Sequence, residues 1–529
     1  MKNNNTIKDS ELTGKHKFPL VNLLLLFMSA LLIIEIVMSL SWRMQHDSPI
    51  MYYIVFLAKH YHLIFYKEIF DMNMPGTYLF FSVVSSIFGH SDLGFRLTDI
   101  IWLLLIMLVT WGIMQRFGKI VAWASIVLFG LSYFHLGAES FLQREFIALA
   151  PISLAVFVAI AQRRLSLLNR SFWVGFLFGL SAIIKPALAV GLPVTIFYLL
   201  GQTEDEKGCW NKYFIILFSL VGLTIPIFSS IVWLWQQGSL PYFMEMVLSY
   251  LPLYGKLAGD HHTMHGLKQL YYLTMSYGVL GGYSFWLVPA FIGGFLALFY
   301  TRPSLSNKNI VGLLAGLVVV YSLYPVFGGQ FWTYHWFPFQ YFIILLSSLT
   351  FVQLTDLQDK LSLRLSKEFL TGIILFCSLF FMILYLMPPA DYFRQITFQP
   401  IVIKDGRVDG IANYLKDHLK PGDKVQPLDW TGGAVHAMLI SRAEVATPFI
   451  YDFHFYHHIS RPYIQTLRQR FIEALKNKKP RYIIEIFTEK PWVWGKDTTL
   501  KFNELREYIK DNYMITTYGE GWCIYEINK

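Results

Sequence analysis

Charged residues are scarce in this chain and make up 15% of its 529 residues. Soluble globular proteins carry about a quarter charged residues. Apolar residues reach 55% and aromatic residues 17%, and the long apolar runs place most of the chain in lipid. This composition argues against a chain of soluble domains.

Cysteine is also rare, with three residues at Cys209, Cys377 and Cys523, which cannot build a disulfide framework. The sequence has no CxxC pair, no HExxH zinc signature, no glycine-rich phosphate loop and no internal repeat. The formal net charge is +9, but the basic residues lie mainly at the ends of apolar runs, as the positive-inside rule predicts. Nucleic-acid binding is therefore not indicated.

Apolar runs long enough to cross a membrane need about twenty residues. The first run follows a basic tail, is too long for a signal peptide and has no small-residue cleavage site after it. We predict about eleven spans, with a tight pair in 172–201 that breaks at Lys185-Pro186. The other predicted spans are 20–41, 97–115, 120–136, 146–163, 213–236, 283–301, 309–328, 335–353 and 369–387.

Residues 75–89 form a shorter apolar run that contains three serines. Treated as an interfacial or re-entrant helix, this run leaves all the basic clusters on one side, which the positive-inside rule makes cytoplasmic. The N-terminal tail, 1–19, is then cytoplasmic. The main outward-facing loops are 42–96, 137–145 and 237–282, with a shorter one at 329–334.

The composition changes after about Pro388-Pro389, where charges become frequent and strands alternate with helices. This pattern predicts a small α/β domain over 389–529. Strands are predicted at 424–428, 481–486, 514–518 and 523–527, and helices at 412–419, 463–475 and 500–511. The predicted fold is thus a polytopic α-helical membrane domain, 20–388, followed by an extracytoplasmic α/β domain.

The first outward loop holds several ionisable side chains. Asp47 lies just beyond the first span, where a lipid carrier presents its phosphosugar, and a carboxylate there suits a general base; a simple cap on the span is the alternative. Lys67 could approach a lipid phosphate, and Asp71 could bind a sugar hydroxyl or a metal, unless both belong to a solvated turn. Arg96 lies one helical turn before Asp99, a spacing that also fits a structural ion pair.

The short loop 137–145 contains Glu139, Arg144 and Glu145. A basic residue on the outer side departs from the positive-inside trend, and bidentate binding of a phosphate explains it; a local ion pair is the alternative. Lys185 either snorkels to the surface or binds a carrier phosphate. For the histidines in 261–265 a surface or structural role is favoured, and Tyr334-His335-Trp336 fits an interfacial aromatic belt.

Taken in order, these segments resemble the GT-C superfamily, specifically the protein O-mannosyltransferase and lipid A aminoarabinose transferase group. The resemblance rests on HDSPIMYY, IFDMNMPGTYLFF, FGHSDLGFRLTD, ESFLQREFIAL and GLSAIIKPAL, followed by the α/β tail. It implies a glycosyltransferase of the inner (plasma) membrane. Such an enzyme moves a sugar, with inversion, from a polyprenyl-phosphate carrier to a hydroxyl acceptor in a cavity open to the outside.

Within that resemblance, Asp47 matches the catalytic base and Glu145 matches the acidic position of the second outward loop, so both are predicted to be catalytic. Arg96 matches the arginine after a short Phe-Gly turn. Asp47-Ser48 stands where the family often has two acidic residues, and Asn73-Met74-Pro75 stands where the aminoarabinose transferases have Glu-Lys-Pro. Phosphate binding must then come from Arg144, Lys67 or Lys185. The predicted substrate-binding residues are Lys67, Asp71, Arg96, Glu139, Arg144 and Lys185.

No cofactor or metal is predicted, although a metal bridging Asp71 and a loop histidine is conceivable by analogy. The expected partners are a polyprenyl-phosphate sugar, membrane lipid and an envelope glycan, lipid or protein acceptor. A transporter or flippase of a lipid-linked substrate is the main alternative. It predicts an ionisable path through the membrane and often inverted repeats, whereas the ionisable residues here gather at one face. A catalytically inactive scaffold is a third reading.

Overall fold

The computed structural model describes residues 20–161, 165–203, 208–257, 264, 266–278, 284–299, 305–328, 332–351, 373, 377, 403–487 and 493–528. As far as residue 351, the described elements of regular structure are helical. The α-helices are α1 (Leu20–Ser39), α2 (Ser48–His60), α3 (Pro75–Phe88), α4 (Asp92–Met114), α5 (Lys119–His135), α6 (Arg144–Ile160), α7 (Leu167–Ile184), α8 (Leu192–Leu200), α9 (Gly208–Gln236), α10 (Leu240–Glu245), α11 (Leu251–Tyr254), α12 (Leu267–Gly278), α13 (Ser284–Phe299), α14 (Leu305–Gly328) and α15 (Phe337–Ser348).

Several of these helices are long and apolar enough to cross a membrane. Within the described residues there are five, at Val21–Ser39, Asp92–Phe117, Leu167–Ile184, Asn211–Gln236 and Asn307–Val326. The chain is therefore a multi-pass membrane protein, as predicted. The figure of about eleven spans stays a prediction, and the span at 369–387 lies almost wholly outside the described residues, as does the tail 1–19.

The predicted break at Lys185-Pro186 is confirmed. Helix α7 ends at Ile184, and a 3₁₀ helix over Pro186–Gly191 leads into α8. Proline lacks the backbone N–H that would continue the helical ladder, and it disfavours a helical conformation in the residue before it. Lys185 is accordingly extended, with φ −156° and ψ 108°. It stands at the junction of two apolar helices.

Helix α3 matches the short run for which an interfacial or re-entrant position is predicted. Its 14 residues, at 1.5 Å per residue, give a length of about 21 Å. The hydrocarbon core of a bilayer is about 30 Å thick. The length fits the prediction, while the side of the membrane on which the helix lies stays a prediction.

Helices α7 and α9 pack closely because glycines face the partner backbone. A Cβ atom on Gly175 would lie 1.9 Å from the carbonyl oxygen of Ser219. A Cβ atom on Gly222 would lie 2.1 Å from the carbonyl oxygen of Phe172. Small residues that let two backbones approach are a common means of helix association in membranes.

Residues 403–528 form the predicted α/β domain, here called the C-terminal domain. Its sheet has the order β2-β1-β3-β5-β4; β1 pairs in parallel with β2 and β3, and β5 pairs antiparallel with β3 and β4. Its elements are α16 (Ile403–His418), β1 (Lys424–Leu428), α17 (Ala434–Ser441), β2 (Glu444–Val445), α18 (Pro462–Lys478), β3 (Tyr482–Ile486), α19 (Asn503–Asn512), β4 (Tyr513–Gly519) and β5 (Trp522–Ile527).

The predicted strands are confirmed to within one residue at each end. The predicted helices are present as well, although α16 starts nine residues earlier than the pattern indicated. The short elements α17 and β2 were not predicted, since a two-residue strand and an eight-residue apolar helix give little periodicity. The boundary at 388 stays a prediction because residues 378–402 lie outside the described ones.

The C-terminal domain docks on the loops that follow α1 and α2. The backbone N–H of Phe70 donates to the carbonyl of Pro448 at 2.8 Å, and Phe70 forms an isolated parallel bridge with Phe449. Other contacts between the two parts are Tyr53 to the carbonyl of Ala443 at 2.8 Å, Tyr61 to the carbonyl of Arg442 at 2.7 Å, Arg43 with Asp409 at 3.0 Å, His436 with Asp92 at 3.0 Å, and Arg470 with Glu245 at 2.6 Å.

The packing of α7 on α9 gives a first prediction. Gly175→Ala should destabilise the protein by about 1–3 kcal/mol, because the added methyl group meets a backbone oxygen that cannot rotate away. The measurement is the unfolding temperature of the purified protein in detergent. Gly312→Ala is the matched control, since Gly312 is an exposed helical glycine with open space around its Cβ position. Equal unfolding temperatures for the two variants would contradict this account of the packing.

Candidate active site

Asp47 lies at the N-terminus of α2, directly after a residue in a strained conformation. His46 has φ 51°, in the left-handed region that non-glycine residues rarely adopt and that often accompanies functional sites. The Asp47 carboxylate contacts His46 through Oδ1, 3.2 Å from Nδ1, and Arg144 through Oδ2, 3.5 Å from Nη2. The predicted base therefore faces the predicted phosphate-binding arginine.

Arg144 is the first residue of α6 and joins two loops. Its Nη1 donates to the Oδ1 atom of Asn73, while Nη2 faces Asp47. The Asp47 and Arg144 side chains keep 16% and 17% of their surface exposed, so a ligand can reach both. The Nε of Arg144 is buried and has no hydrogen-bond partner among the described residues. The guanidinium thus retains a donor beyond those that its present contacts use.

Glu145 follows Arg144 in α6 but points into a different environment. Its carboxylate is fully buried and is bound by Lys185, by His335 with Nε2 at 3.4 Å, and by the hydroxyl of Tyr324 at 3.0 Å. The Nζ of Lys185 also lies 3.1 Å from His335. Two predicted residues, Glu145 and Lys185, are therefore an ion pair one residue away from the Asp47–Arg144 contact.

Asp71 is buried, and donors surround both of its carboxylate oxygens. The Oδ2 atom accepts from the backbone N–H and the Nδ2 of Asn73, both at 2.8 Å, and from the hydroxyl of Tyr78. The Oδ1 atom accepts from the hydroxyl of Tyr451 in the C-terminal domain at 2.8 Å. Asp71 thus lies behind Asn73, and Asn73 in turn contacts Arg144.

Arg96 is fully buried beneath the loop that leads to Arg144. Its Nη1 donates to Asp99 at 2.9 Å, and its Nε donates to the carbonyl of Ser39 at 2.9 Å. The guanidinium lies 4.1 Å from the ring centre of Phe141, and Asp99 also accepts from the backbone N–H of Leu142 at 3.2 Å. The Arg96–Asp99 ion pair that the spacing predicted is present. It supports the 137–145 loop through Phe141 and Leu142.

Two predicted binding residues lie apart from these contacts. Lys67 and Glu139 are exposed. The histidines at 261, 262 and 265 lie outside the described residues. Across the part of the chain that the structure describes, no group of three His, Cys, Asp or Glu side chains is arranged to hold a metal ion.

The C-terminal domain forms one side of this centre. The ring of Trp430 lies 6.5 Å from His46, and the ring of Phe453 lies 6.2 Å from Tyr254. Burial raises the pKa of Tyr254 to about 12 against the opposing effect of Arg144. Burial, reinforced by Asp47, raises the pKa of Tyr334 as well. Both phenols are therefore neutral donors near neutral pH.

Several contacts in this centre were not predicted. His335 belongs to a segment interpreted as an aromatic belt, and Tyr324 lies in an apolar run. Asn73 was noted as a departure from the family pattern and given no role. Tyr451 lies in a domain for which the pattern predicted secondary structure alone. A buried acid such as Glu145 at the edge of an apolar run signals that partners must exist, but it does not identify them.

The Glu145–Lys185 pair gives a second prediction. Glu145→Gln should destabilise the protein by on the order of 3 kcal/mol, because removing one partner leaves the other charge uncompensated. Combining it with Lys185→Met should restore much of the loss. The unfolding temperature of both single variants and the double variant checks this, with Glu507→Gln on an exposed helix face as the control. Additive losses would mean that the two side chains do not act as a pair.

Comparison with known proteins agrees with this architecture. The sequence profile of the family described as dolichyl-phosphate-mannose-protein mannosyltransferase matches residues 73–235. No curated protein sequence matches the chain. The structure is similar to that of ArnT from Cupriavidus metallidurans bound to undecaprenyl phosphate, with a TM-score of 0.57, 11% identity, and coverage of 94% of this chain and 97% of that one.

The apo form of the same ArnT gives a TM-score of 0.56 at 12% identity, covering 95% of this chain and 97% of that one. At such low identity the similarity concerns the fold, and it extends over both the helical part and the C-terminal domain. The chain therefore has a GT-C glycosyltransferase fold, and its resemblance to the protein O-mannosyltransferase and lipid A aminoarabinose transferase group is confirmed.

Proposed function

We propose that this protein transfers a sugar from a polyprenyl-phosphate carrier to a hydroxyl acceptor, with inversion, on the extracytoplasmic side of the inner (plasma) membrane. The observation that carries the proposal is the contact between Asp47 and Arg144, an accessible carboxylate 3.5 Å from a guanidinium. One group can accept a proton and the other can hold a phosphate. The similar ArnT structure contains undecaprenyl phosphate, a carrier of the proposed chemical class.

The proposed reaction has one displacement step. Asp47 takes the proton of the acceptor hydroxyl while the acceptor oxygen forms a bond to the anomeric carbon of the sugar. The bond between that carbon and the phosphate oxygen breaks on the opposite face, and its electron pair stays on the lipid phosphate. Arg144 stabilises the negative charge that develops on the lipid phosphate, as positioned cations do where a phosphate is the leaving group. Because Arg144 and Lys185 supply positive charge, we propose that no metal ion is required.

The other residues of the centre divide into two groups. Lys185 is partly exposed, at 27%, and can assist Arg144 at the phosphate. Glu145 is fully buried and bound by three side chains, which favours a role in holding Lys185 and His335 over direct contact with substrate. This modifies the prediction that Glu145 is catalytic. Arg96 is likewise placed to support the loop rather than to bind a ligand.

The proposed sidedness has support in how the helix ends meet. Glu145, at the N-terminal end of α6, binds Lys185 just after α7 and His335 just before α15. Arg144 beside it faces Asp47, in the segment that follows α1. These are the ends that the distribution of basic residues assigns to the outside. The C-terminal domain contacts the segment that follows α1, at Arg43 and His46, so we propose that it is extracytoplasmic and that it covers the cavity or selects the acceptor, whether glycan, lipid or protein.

Asp47→Asn should lower sugar transfer by about 10²–10⁴-fold, the usual contribution of a general base. Purified protein is incubated with radiolabelled polyprenyl-phosphate sugars and an envelope extract, and label leaving the lipid is counted. Asp417→Asn, on an exposed face of α16, is the control for charge loss. Full activity in a normally expressed Asp47→Asn variant would refute the assignment of the base.

The same assay distinguishes sugar transfer from the alternative functions of a transporter and a scaffold. If wild type binds the carrier lipid and consumes no donor, while labelled lipid crosses a reconstituted vesicle, the protein is a transporter or flippase. Bound carrier with neither transfer nor movement would favour a scaffold.

Arg144→Ala should weaken the binding of polyprenyl phosphate by about 10–100-fold, since a charge-assisted hydrogen bond contributes about 1.5–3 kcal/mol. Binding of a fluorescent short-chain polyprenyl phosphate measures this without any sugar transfer. Lys212→Ala, at an exposed position at the start of α9, is the matched control. A larger loss in Lys67→Ala than in Arg144→Ala would move the phosphate site to the first outward loop.

A further inference from the structure

A chain of contacts connects the C-terminal domain to the predicted base. The Tyr451 hydroxyl donates to Asp71, and Asp71 accepts from the backbone N–H and from the side-chain Nδ2 of Asn73. Asn73 accepts a hydrogen bond from Arg144 through its side-chain oxygen, and Arg144 faces Asp47. Each of these contacts joins a different pair of side chains, so the position of one restricts the next.

The central member of the chain is the amide of Asn73, because an amide has distinct ends. Its nitrogen can only donate and its oxygen can only accept. Asp71 holds the nitrogen, which leaves the oxygen facing Arg144. If Asp71 moved, the amide could rotate and present N–H groups to the guanidinium, which has no acceptor. The orientation of Asp71 therefore determines whether Arg144 has a partner on this side.

We propose that Tyr451 is a positioning residue for sugar transfer: by holding Asp71 it orients Asn73, and through Asn73 it fixes Arg144 opposite Asp47. This inference rests on the proposed function. It assigns to the C-terminal domain a part in arranging the reacting groups, beyond covering the cavity.

Two features hold Tyr451 in place. The backbone of Phe70 is hydrogen-bonded to Pro448, three residues before Tyr451. The imidazole of His454 packs on the Tyr451 ring with centroids 4.5 Å apart. Burial lowers the pKa of His454 to about 3, so this ring is neutral and does not compete with Tyr451 for Asp71 through charge. The tyrosine hydroxyl is thereby directed at Asp71.

A hydroxyl at this position matters because Asp71 is buried. A buried carboxylate without its donors is costly, and hydrogen bonds to charged groups are the stronger ones. Removing the Tyr451 hydroxyl leaves the Oδ1 of Asp71 without this donor, while the aromatic ring can still fill its space. Rotation of the Asp71 carboxylate toward other donors then becomes more favourable. Such a rotation breaks its hydrogen bond with the side-chain amide of Asn73.

The test compares two tyrosine-to-phenylalanine variants. Tyr451→Phe should lower kcat for transfer by about tenfold, with the KM for the donor changed by less than about threefold, as expected for loss of one hydrogen bond to a charged group. Tyr53→Phe is the matched control. It removes a buried hydrogen bond between the same two parts of the chain, to the carbonyl of Ala443, and does not touch Asp71.

A double-mutant cycle separates positioning from general loss of stability. In an Asn73→Ala background, adding Tyr451→Phe should lower kcat by less than about twofold, because both changes act through the same contact to Arg144. Wild-type kcat in Tyr451→Phe, an equal loss in Tyr53→Phe, or full additivity with Asn73→Ala would each overturn the inference. Inactivity of wild type toward every donor would instead overturn the proposed function.

Discussion

The first two residues of α6 hold the centre together. Arg144 bridges Asp47 and Asn73, while Glu145 binds Lys185, His335 and Tyr324. Charges at the edge of a membrane domain need partners, because an uncompensated ion there is expensive. Two adjacent side chains of opposite sign satisfy this need and draw the ends of several helices to one place. The remaining contacts of the centre depend on where this helix begins.

The start of α6 is held in place by the buried residues Leu142, Asp99 and Arg96. Leu142 has φ 46°, and its backbone N–H donates to Asp99, which Arg96 holds in turn. Buried residues in the left-handed region persist where the surroundings fix them. The Arg96–Asp99 pair therefore does more than neutralise two charges: it determines the turn from which Arg144 and Glu145 enter α6.

Local chemistry made a large part of the fold predictable from the sequence. Proline at 186 predicted the end of α7, the three-residue spacing of Arg96 and Asp99 predicted their pairing, and alternation predicted the strands of the C-terminal domain. The contacts of the candidate active site were harder to predict from the sequence. Asp47, Arg144, Glu145 and Lys185 stood out because ionisable groups are conspicuous next to apolar runs.

Their partners were harder to find, because neutral side chains such as Asn73 and Tyr324 do not stand out in such a sequence. Nor does a local pattern specify which distant residue completes a hydrogen bond. Asp47 meets Arg144 and Glu145 meets Lys185, while the outward position and the function of these side chains stay predictions. No prediction from the sequence accounted for the aromatic side that the C-terminal domain contributes.

The hydrogen bond between Tyr451 and Asp71 joins residues 380 positions apart, and this separation affects biosynthesis. Contacts so distant in sequence form late, since the ribosome releases the N-terminal part first. The membrane helices are complete before residue 451 has been synthesised. A nascent chain thus has its charged centre without the tyrosine that orders Asp71, and this order is added only when the segment around Tyr451 has been synthesised and has docked.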